Sequence, residues 1–465
     1  VSAAIWWLRR DLRLSDNQAL IGALRARQRV IPVFVLDEKL LASPYVGEKR
    51  VAFLFAGLRA LDADLRARGS YLVVRRGDPV VELGRLLAES GADVIFAEPD
   101  YSPYARRRDD RVGRELPVFW AGSPAARPPG IIVKANGEPY RMFTPFSRSW
   151  KALPELSEKP NFEAPQRIDT PPGLTTLPTL QFSLPPDDFP AGEIEAQRRL
   201  TRFTELTIYL YHQQRDRQDI AGTSQLSPFL RFGMLSARQA VAAARQAIHL
   251  APDETARRSA EAWLDELIWR DFYIHLLYYF PRLRHENFRL ADVRWVNDTV
   301  QFEAWKTGRT GYPIVDALMR QLSHTGWMHN RGRMITASFL TKDLLIDWRW
   351  GEKWFMQHLM DGDPAANNGG WQWIAGVGTD AAPYFRVFNP VSQSMKTDPQ
   401  GVFIRYWLPE LQDVPLKYLH QPWTMPEEVQ RQAGCYIGRH YPPPLVDHAW
   451  AKERALQVYQ TARSG

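Results

Sequence analysis

GRTGYPIVDALMRQLSHTGWMHNRGRMITASFLTKDLLIDWRW, residues 308–350, runs directly into GEKWFMQHLMDGDPAANNGGWQW, residues 351–373. Polar and charged residues alternate here with tryptophans in a way that a simple buried helix does not require. Asn330, Arg333 and Met334 stand at i, i+3 and i+4, so one helical face presents an amide, a guanidinium and a thioether. Asp363 followed by Pro364 reads as an N-cap with proline at the first helical position. Gly369-Gly370 is expected to break that helix after Asn367 and to let backbone approach something closely. Any one of these residues fits a helix pair with scattered core tryptophans. Taken together, the aspartates, asparagines and indoles are costly to bury without a ligand to satisfy them.

Outward from this stretch the chain changes character twice. Toward the amino end, AAIWWL, VIPVFVL, YLVV and DVIFA alternate with helical patterns such as EKRVAFLFAGLRALDADLRARG, which stops at Gly69. Alternation of that kind argues a parallel sheet with helices on its faces. No GxGxxG follows the first strand, and no GxxxxGK[ST] loop is present, so an ordinary dinucleotide or phosphate loop is not expected. From about 127 to 190, PPGI, PELSEKPNFEAP and LPPDDFP are proline-rich and poor in periodicity, and read as a connector. From Glu193 onward the patterns are helical, punctuated at Gly222, Pro281, Gly308 and Gly326. The expected architecture is an α/β domain over 1–127 with a parallel, five-stranded, Rossmann-like sheet, a connector over 128–192, and an all-α domain over 193–465.

With 465 residues, 45% hydrophobic and 24% charged, the chain has the composition of a soluble protein of two domains. A net charge of +7 favours a polyanionic partner met by a folded patch, because neither half of the chain holds the excess. Cys435 is the only cysteine, which excludes an internal disulfide and a thiolate metal cluster. No HExxH spacing, membrane-length apolar run or leader pattern is visible, and a cytoplasmic protein is expected. Seventeen tryptophans are unusual, and ten of them fall within 263–373.

Two further constellations bear on chemistry. GTSQLSP (222–228) sets Thr223, Ser224 and Ser227 before a helix, where hydroxyls and N–H groups hold an anion or simply cap the helix. WLDELIWRDFY (263–273) places Trp263, Glu266, Trp269 and Arg270 on one face. Indole planes stack bases at ~1–3 kcal/mol per base, while a carboxylate and guanidinium four apart also make an ordinary surface pair.

GYPIVDALMRQL, TGWMHNRGRMITASFLTKDLLIDWR and DGDPAANNGGWQW closely resemble the photolyase/cryptochrome family, and within it the class I photolyases that act on cyclobutane pyrimidine dimers. The resemblance extends from WWLRRDLRLSDNQAL at Trp6 to FNPVSQ ending at Gln393. It implies a helical FAD-binding domain and light-driven repair of UV-damaged DNA. It assigns Tyr211, Thr223, Ser224, Gln225, Leu226, Ser227, Trp263, Asn330, Arg333, Asp361, Asp363 and Asn367 to FAD. Asn367 would face flavin N5, where an amide accepts or donates by rotation, and Arg333 would pair with Asp361 beside the ring. Trp269 and Trp373 would hold the flipped dimer, with Glu266 on its base edge and Asn330 and Met334 in the pocket. Arg215, Arg270, Arg331 and Arg386 would contact DNA, and Trp371, Trp348 and Trp295 would carry electrons from flavin to surface. By spacing alone those three indoles are equally well core aromatics.

For a second, light-harvesting chromophore, DYSPYARRRD (100–109) is more similar to the deazaflavin binders than to the folate binders, which carry Asn-Glu where this chain has Tyr104-Ala105. 8-Hydroxy-5-deazaflavin is therefore expected rather than methenyltetrahydrofolate or FMN, with Asp11, Asp100, Arg106 and Arg108 as candidate ligands; RRRDD also suits an ordinary charged helix start. A monomer without membrane contact is expected. The runner-up is a cryptochrome, against which stand Glu266, Trp269, Trp373 and the absence of a long tail after the helical domain. A (6-4) photolyase would show a histidine-rich HNR region, and a plain FAD oxidoreductase would need a nicotinamide or substrate motif.

Overall fold

The computed structural model describes residues 2–154, 163–177, 189–289, 293–380 and 386–464. These divide into two units, one made of Val1–His212, Thr223–Arg282 and Met360–Ala365, the other of Gln213–Gly222, Leu283–Leu359 and Ala366–Gly465.

In the first unit, AAIWWL has no polar face, so a strand built from it must be covered on both sides. Strand β1 (Ala3–Leu8) is buried at all six positions. With β2 (Arg29–Leu36), β3 (Val73–Arg76), β4 (Val94–Ala97) and β5 (Val118–Trp120) it forms a parallel sheet ordered β3-β2-β1-β4-β5. Ile5 registers with Ile31 on one side and Ile95 on the other. The order turns at β1, and in such sheets the crevice beyond the carboxyl ends of the strands is the natural ligand site. Just there the sequence places Arg9, Arg10 and Asp11 after β1, and Glu98 and Asp100 after β4.

Three crossover helices start on side-chain caps: Asn17 accepts from the Leu20 N–H, Asp78 from Val80 and Ser102 from Ala105. The helix Glu48–Arg66 ends short of Gly69, whose φ of +81° suits glycine. Helices Glu193–Glu205, Ser227–Phe232, Ala237–His249 and Glu254–Tyr279 complete this unit. The last runs 26 residues from its Asp253 cap and buries Trp263, Leu264, Leu267, Ile268, Asp271 and Phe272.

The connector expected over 128–192 lies partly outside the described residues, at 155–162 and 178–188. Its described part is not aperiodic. FTPFSRSWKA forms the helix Phe143–Ala152, with Phe146, Ser147 and Trp150 buried. The prolines around it hid a pattern only ten residues long.

The second unit is helical. Its core gathers Trp305, Leu318, Phe339, Trp348, Phe355 and Trp371, with Trp295, Met334 and Trp373 packed against it. Gly326 closes the helix Pro313–Thr325 in the left-handed region. The helix Pro364–Ala375 starts where the Asp363-Pro364 pair predicts, the Ala365 N–H donating to Asp363 Oδ1 at 2.8 Å. It does not break at Gly369-Gly370, and here the sequence expectation is corrected. Each glycine costs a helix only about 1 kcal/mol, and burial of Trp371, Gln372, Ile374 and Ala375 offsets that.

Candidate functional site

On the Glu254–Tyr279 helix, Glu266, Trp269 and Arg270 are half-buried. The Trp269 indole lies flat against Phe143, ring centroids 3.7 Å apart and planes 4° from parallel, and Phe272 meets it at 75°. One indole face is thus fixed by the helix that sequence reading missed. Arg270 donates to the Pro124 carbonyl at 2.6 Å and the Leu230 carbonyl at 3.2 Å. Its guanidinium ties segments of the first unit together.

Trp263 and Tyr211 are buried and both pack on Phe203, at 5.0 and 5.9 Å between centroids. In the GTSQLSP loop Thr223, Ser224 and Gln225 are half-buried, Leu226 buried and Ser227 exposed. Gln225 has φ +52°, uncommon for a residue with a side chain, and its Oε1 accepts from Arg199 Nη1 at 3.2 Å. The helix after it, Ser227–Phe232, has no side-chain cap at its Leu226 N-cap.

Asp361 is buried, and Asp363 is held by a feature with no sequence signal. Arg10 Nη2 donates to Asp363 Oδ2 at 2.7 Å while its Nη1 reaches Asp100 Oδ1 at 3.3 Å. Arg231 lies 4.0 Å from the same Asp363 oxygen and donates to the Gly362 carbonyl at 2.9 Å. Burial drives the Arg231 guanidinium down to about 9, with Arg10 adding to the effect. Arg10 pulls Asp100 below the usual carboxylate range against the opposing effect of its burial.

The candidates for a second chromophore are all engaged in holding the first unit together. Asp11 accepts from the Arg9 N–H at 2.9 Å, Asn17 Nδ2 at 3.2 Å and Trp6 Nε1 at 3.3 Å. Arg108 donates to Asp109 at 2.9 Å. Arg106 donates to the Tyr278 carbonyl at 2.8 Å and lies 4.3 Å over its ring.

In the second unit, Asn330 is exposed at the start of the helix Asn330–Ser338, with Nδ2 4.0 Å from Met334 sulfur, so the predicted shared face is present. Arg333 donates Nε–H to the Met328 carbonyl at 2.9 Å. Arg331 donates to Asp216 at 2.5 Å, Arg215 is half-buried and Arg386 is exposed. Asn367 uses Nδ2 twice, toward the Glu352 carbonyl at 3.0 Å and Glu352 Oε1 at 3.1 Å. Sequence reading missed Glu352, fifteen residues away on another helix.

Trp371 and Trp348 are 2% and 1% exposed and Trp295 is half-buried, a sequence from deep core toward surface. Trp371 packs on Trp305 at 6.2 Å and Phe355 at 5.0 Å, Trp348 Nε1 donates to Asn287 at 2.9 Å, and Trp295 meets Tyr459 at 6.2 Å. Trp373 is half-buried. Among the described residues there is no His/Cys/Asp/Glu cluster able to hold a metal, and no helix long and apolar enough to cross a membrane.

Two family models match the chain, DNA photolyase over 4–166 and the FAD-binding domain of DNA photolyase over 263–461. A relative from Escherichia coli named deoxyribodipyrimidine photo-lyase is 42% identical, covering 99% of this chain and 98% of its own. The solved structure of a class III photolyase from Agrobacterium tumefaciens superposes with a TM-score of 0.92 at 36% identity, covering 100% and 98% of the two chains. A Synechocystis cryptochrome superposes with a TM-score of 0.86 at 29% identity, covering 98% and 99%. Full-length identity at this level, with both family models matched, makes the chain a member of the DNA photolyase/cryptochrome family.

Proposed function

We propose that this protein is a deoxyribodipyrimidine photo-lyase that repairs cyclobutane pyrimidine dimers in DNA. The observation that carries the reading is the half-buried Trp269 indole, locked flat by Phe143 one helical turn from Glu266. A rigid aromatic platform beside a carboxylate suits a base that has left its stack, and a fused dimer stacks and pairs poorly, so extruding it costs less than extruding normal bases. Glu266 would accept from the base edge, Trp373 would supply a second indole, and Asn330 and Met334 would shape the pocket. Arg215, Arg270, Arg331 and Arg386 would meet phosphates in a salt-dependent way.

The family model supports FAD, and the side chains present suit it. Thr223, Ser224 and Ser227 offer hydroxyls for its phosphates, Gln225 and Leu226 shape that loop, and Tyr211 and Trp263 supply aromatic walls. Asp361, Asp363 and Arg333 would bind its polar edges, and the Asn367 amide, held on Glu352, would meet N5. Bound in its reduced state, FAD would supply on absorbing light the electron that splits the cyclobutane ring and returns when the ring has opened. Buried Trp371 and Trp348, with Trp295 nearer the surface, would form the route by which the resting cofactor is reduced. The division at 1–127, 128–192 and 193–465, a monomeric state and a cytoplasmic location belong to the same proposal. So does 8-hydroxy-5-deazaflavin in preference to methenyltetrahydrofolate or FMN, which rests on Tyr104-Ala105; chromatography of extracted chromophores decides it.

Glu266→Ala and Trp269→Ala should each lower repair yield or lesion affinity at least tenfold while FAD stays bound. Equal repair by both variants would remove the substrate-site assignment. Trp371→Phe should abolish photoreduction of oxidised FAD yet repair normally once chemically reduced; unchanged photoreduction would exclude the indole route.

A further inference from the structure

A second row of rings leaves Trp371 within the second unit. Trp305, 0% exposed, meets it edge-on, with 6.2 Å between centroids and 70° between planes. Phe355 touches both, 5.0 Å from Trp371 and 6.1 Å from Trp305, the latter almost parallel at 13°. Three residues before Trp305 on the helix Thr299–Lys306, Phe302 lies 5.8 Å from it at 14°. Phe302 in turn meets Trp350, on the helix Trp348–His358, at 5.2 Å and 68°. Trp305 is buried, whereas Phe302 and Trp350 are half-buried, so the row runs from core toward solvent. Packing alone accounts for each contact taken singly. The row as a whole starts on the indole read above as the first electron donor and ends on a second indole that reaches the surface.

We propose that Trp305, Phe302 and Trp350 form a second electron route to Trp371, parallel to the one through Trp348 and Trp295. The inference rests on the reading that Trp371 is the indole that first gives an electron to photoexcited, oxidised FAD. Each step moves one electron and makes no bond. Once oxidised, Trp371 is refilled from Trp305, and Trp305 from Trp350 across the Phe302 ring. That ring fills the gap with π density and is not itself oxidised. Trp305 does not end the route. Its Nε1–H donates at 3.0 Å to the Thr336 carbonyl, which is no base, so the oxidised indole keeps its proton and passes the hole on. Trp350, partly in solvent, releases its indole proton to water and then takes an electron and a proton from a soluble thiol. Lys306 Nζ lies 5.2 Å over Phe302, where a cation hinders the passage of positive charge, and Glu303, 2.6 Å from that ammonium, offsets it.

The test uses full-length protein loaded with oxidised FAD, a thiol reductant and blue-light flashes. Two readouts are taken, the rate of flavin photoreduction by absorbance and the indole radicals by EPR. The hyperfine pattern of such a radical depends on side-chain torsion, so it distinguishes one tryptophan from another. Trp348→Phe should slow photoreduction about tenfold without abolishing it, and adding Trp350→Phe should slow it about tenfold again. Trp348→Phe with Phe302→Leu should fall between the two. The radical that remains in Trp348→Phe should vanish when Trp350→Phe is added. Photoreduction in Trp348→Phe as low as in Trp371→Phe overturns the second route, and so does a rate or a radical that survives the addition of Trp350→Phe. Photoreduction at the parental rate in Trp371→Phe would instead defeat the first-donor reading, a separately visible result. Trp305 is fully buried, and should Trp305→Phe not fold, the half-buried Trp350 still decides.

Discussion

The two units weigh buried arginine–carboxylate contacts and aromatic packing differently. At the carboxyl ends of the sheet in the first unit, charge is buried in arginine–carboxylate contacts: Arg9 with Asp109, Arg10 with Asp100 and Asp363, Arg13 with Glu98. The second unit's core is built largely from indoles and aliphatics, and its buried Lys342 meets no carboxylate among the described residues. Its Nζ donates to the Ala375 carbonyl at 3.2 Å and sits 3.4 Å over the Tyr459 ring, and burial lowers it to about 7. Paired buried charges fix geometry more than they add stability, since desolvation offsets most of the attraction. Aromatic packing adds stability and provides closely spaced π systems. A network that fastens segments belongs to the first arrangement, and a core suited to electron movement belongs to the second.

The contrast breaks most sharply at Arg13. It is 3% exposed, donates to the Gly233 carbonyl at 3.1 Å and the Asp16 carbonyl at 2.9 Å, and lies 3.3 Å from Glu98. Arg13→Ala leaves a buried carboxyl and two carbonyls without their donor, and should cost about 3–5 kcal/mol by denaturant unfolding. Arg13→Met with Glu98→Gln should cost clearly less than the single change, the mark of a pair kept for geometry.

A smaller effect is expected from Asp316 in the second unit. It accepts from the Thr310 N–H at 2.7 Å, Thr310 Oγ1 at 2.6 Å, the Gly311 N–H at 3.1 Å and Tyr441 Oη at 2.5 Å. Burial nevertheless raises it from 3.8 to about 6. The folded state therefore binds the proton more tightly than the unfolded chain, so this group's contribution is full below pH ~4 and is lost as pH rises through about 6. The loss should reach about 3 kcal/mol across that window, and Asp316→Asn should flatten the slope. Smallest is Gly351→Ala, whose Cβ would lie 2.1 Å from Trp371 Cη2. Overpacking of that kind costs about 1–3 kcal/mol, and it should shift tryptophan fluorescence while leaving the first unit's unfolding midpoint in place.

The sheet was legible because AAIWWL and VIPVFVL admit little but buried parallel strands, and the Asp363-Pro364 start was legible because capping is local. The unbroken helix through Gly369-Gly370 was not, because the packing of Trp371 and Ile374 outweighs a propensity that acts residue by residue. The helix Phe143–Ala152 was hidden by the prolines on either side. At the site, residue types that share a helical turn, such as Glu266 with Trp269 and Asn330 with Met334, could be read from spacing. Arg10 with Asp363, Glu352 with Asn367 and Phe143 with Trp269 are separated by 353, 15 and 126 positions, and nothing in local periodicity joins them.

The most direct measurement mixes purified, reduced protein with UV-irradiated oligothymidine, under near-UV and blue light and in darkness, and follows intact thymine by chromatography. Light-dependent reversal of the cyclobutane dimers, lost in Trp269→Ala, is the predicted result. No reversal by protein carrying fully reduced FAD would contradict the account and place the chain with the photosensory members of its family.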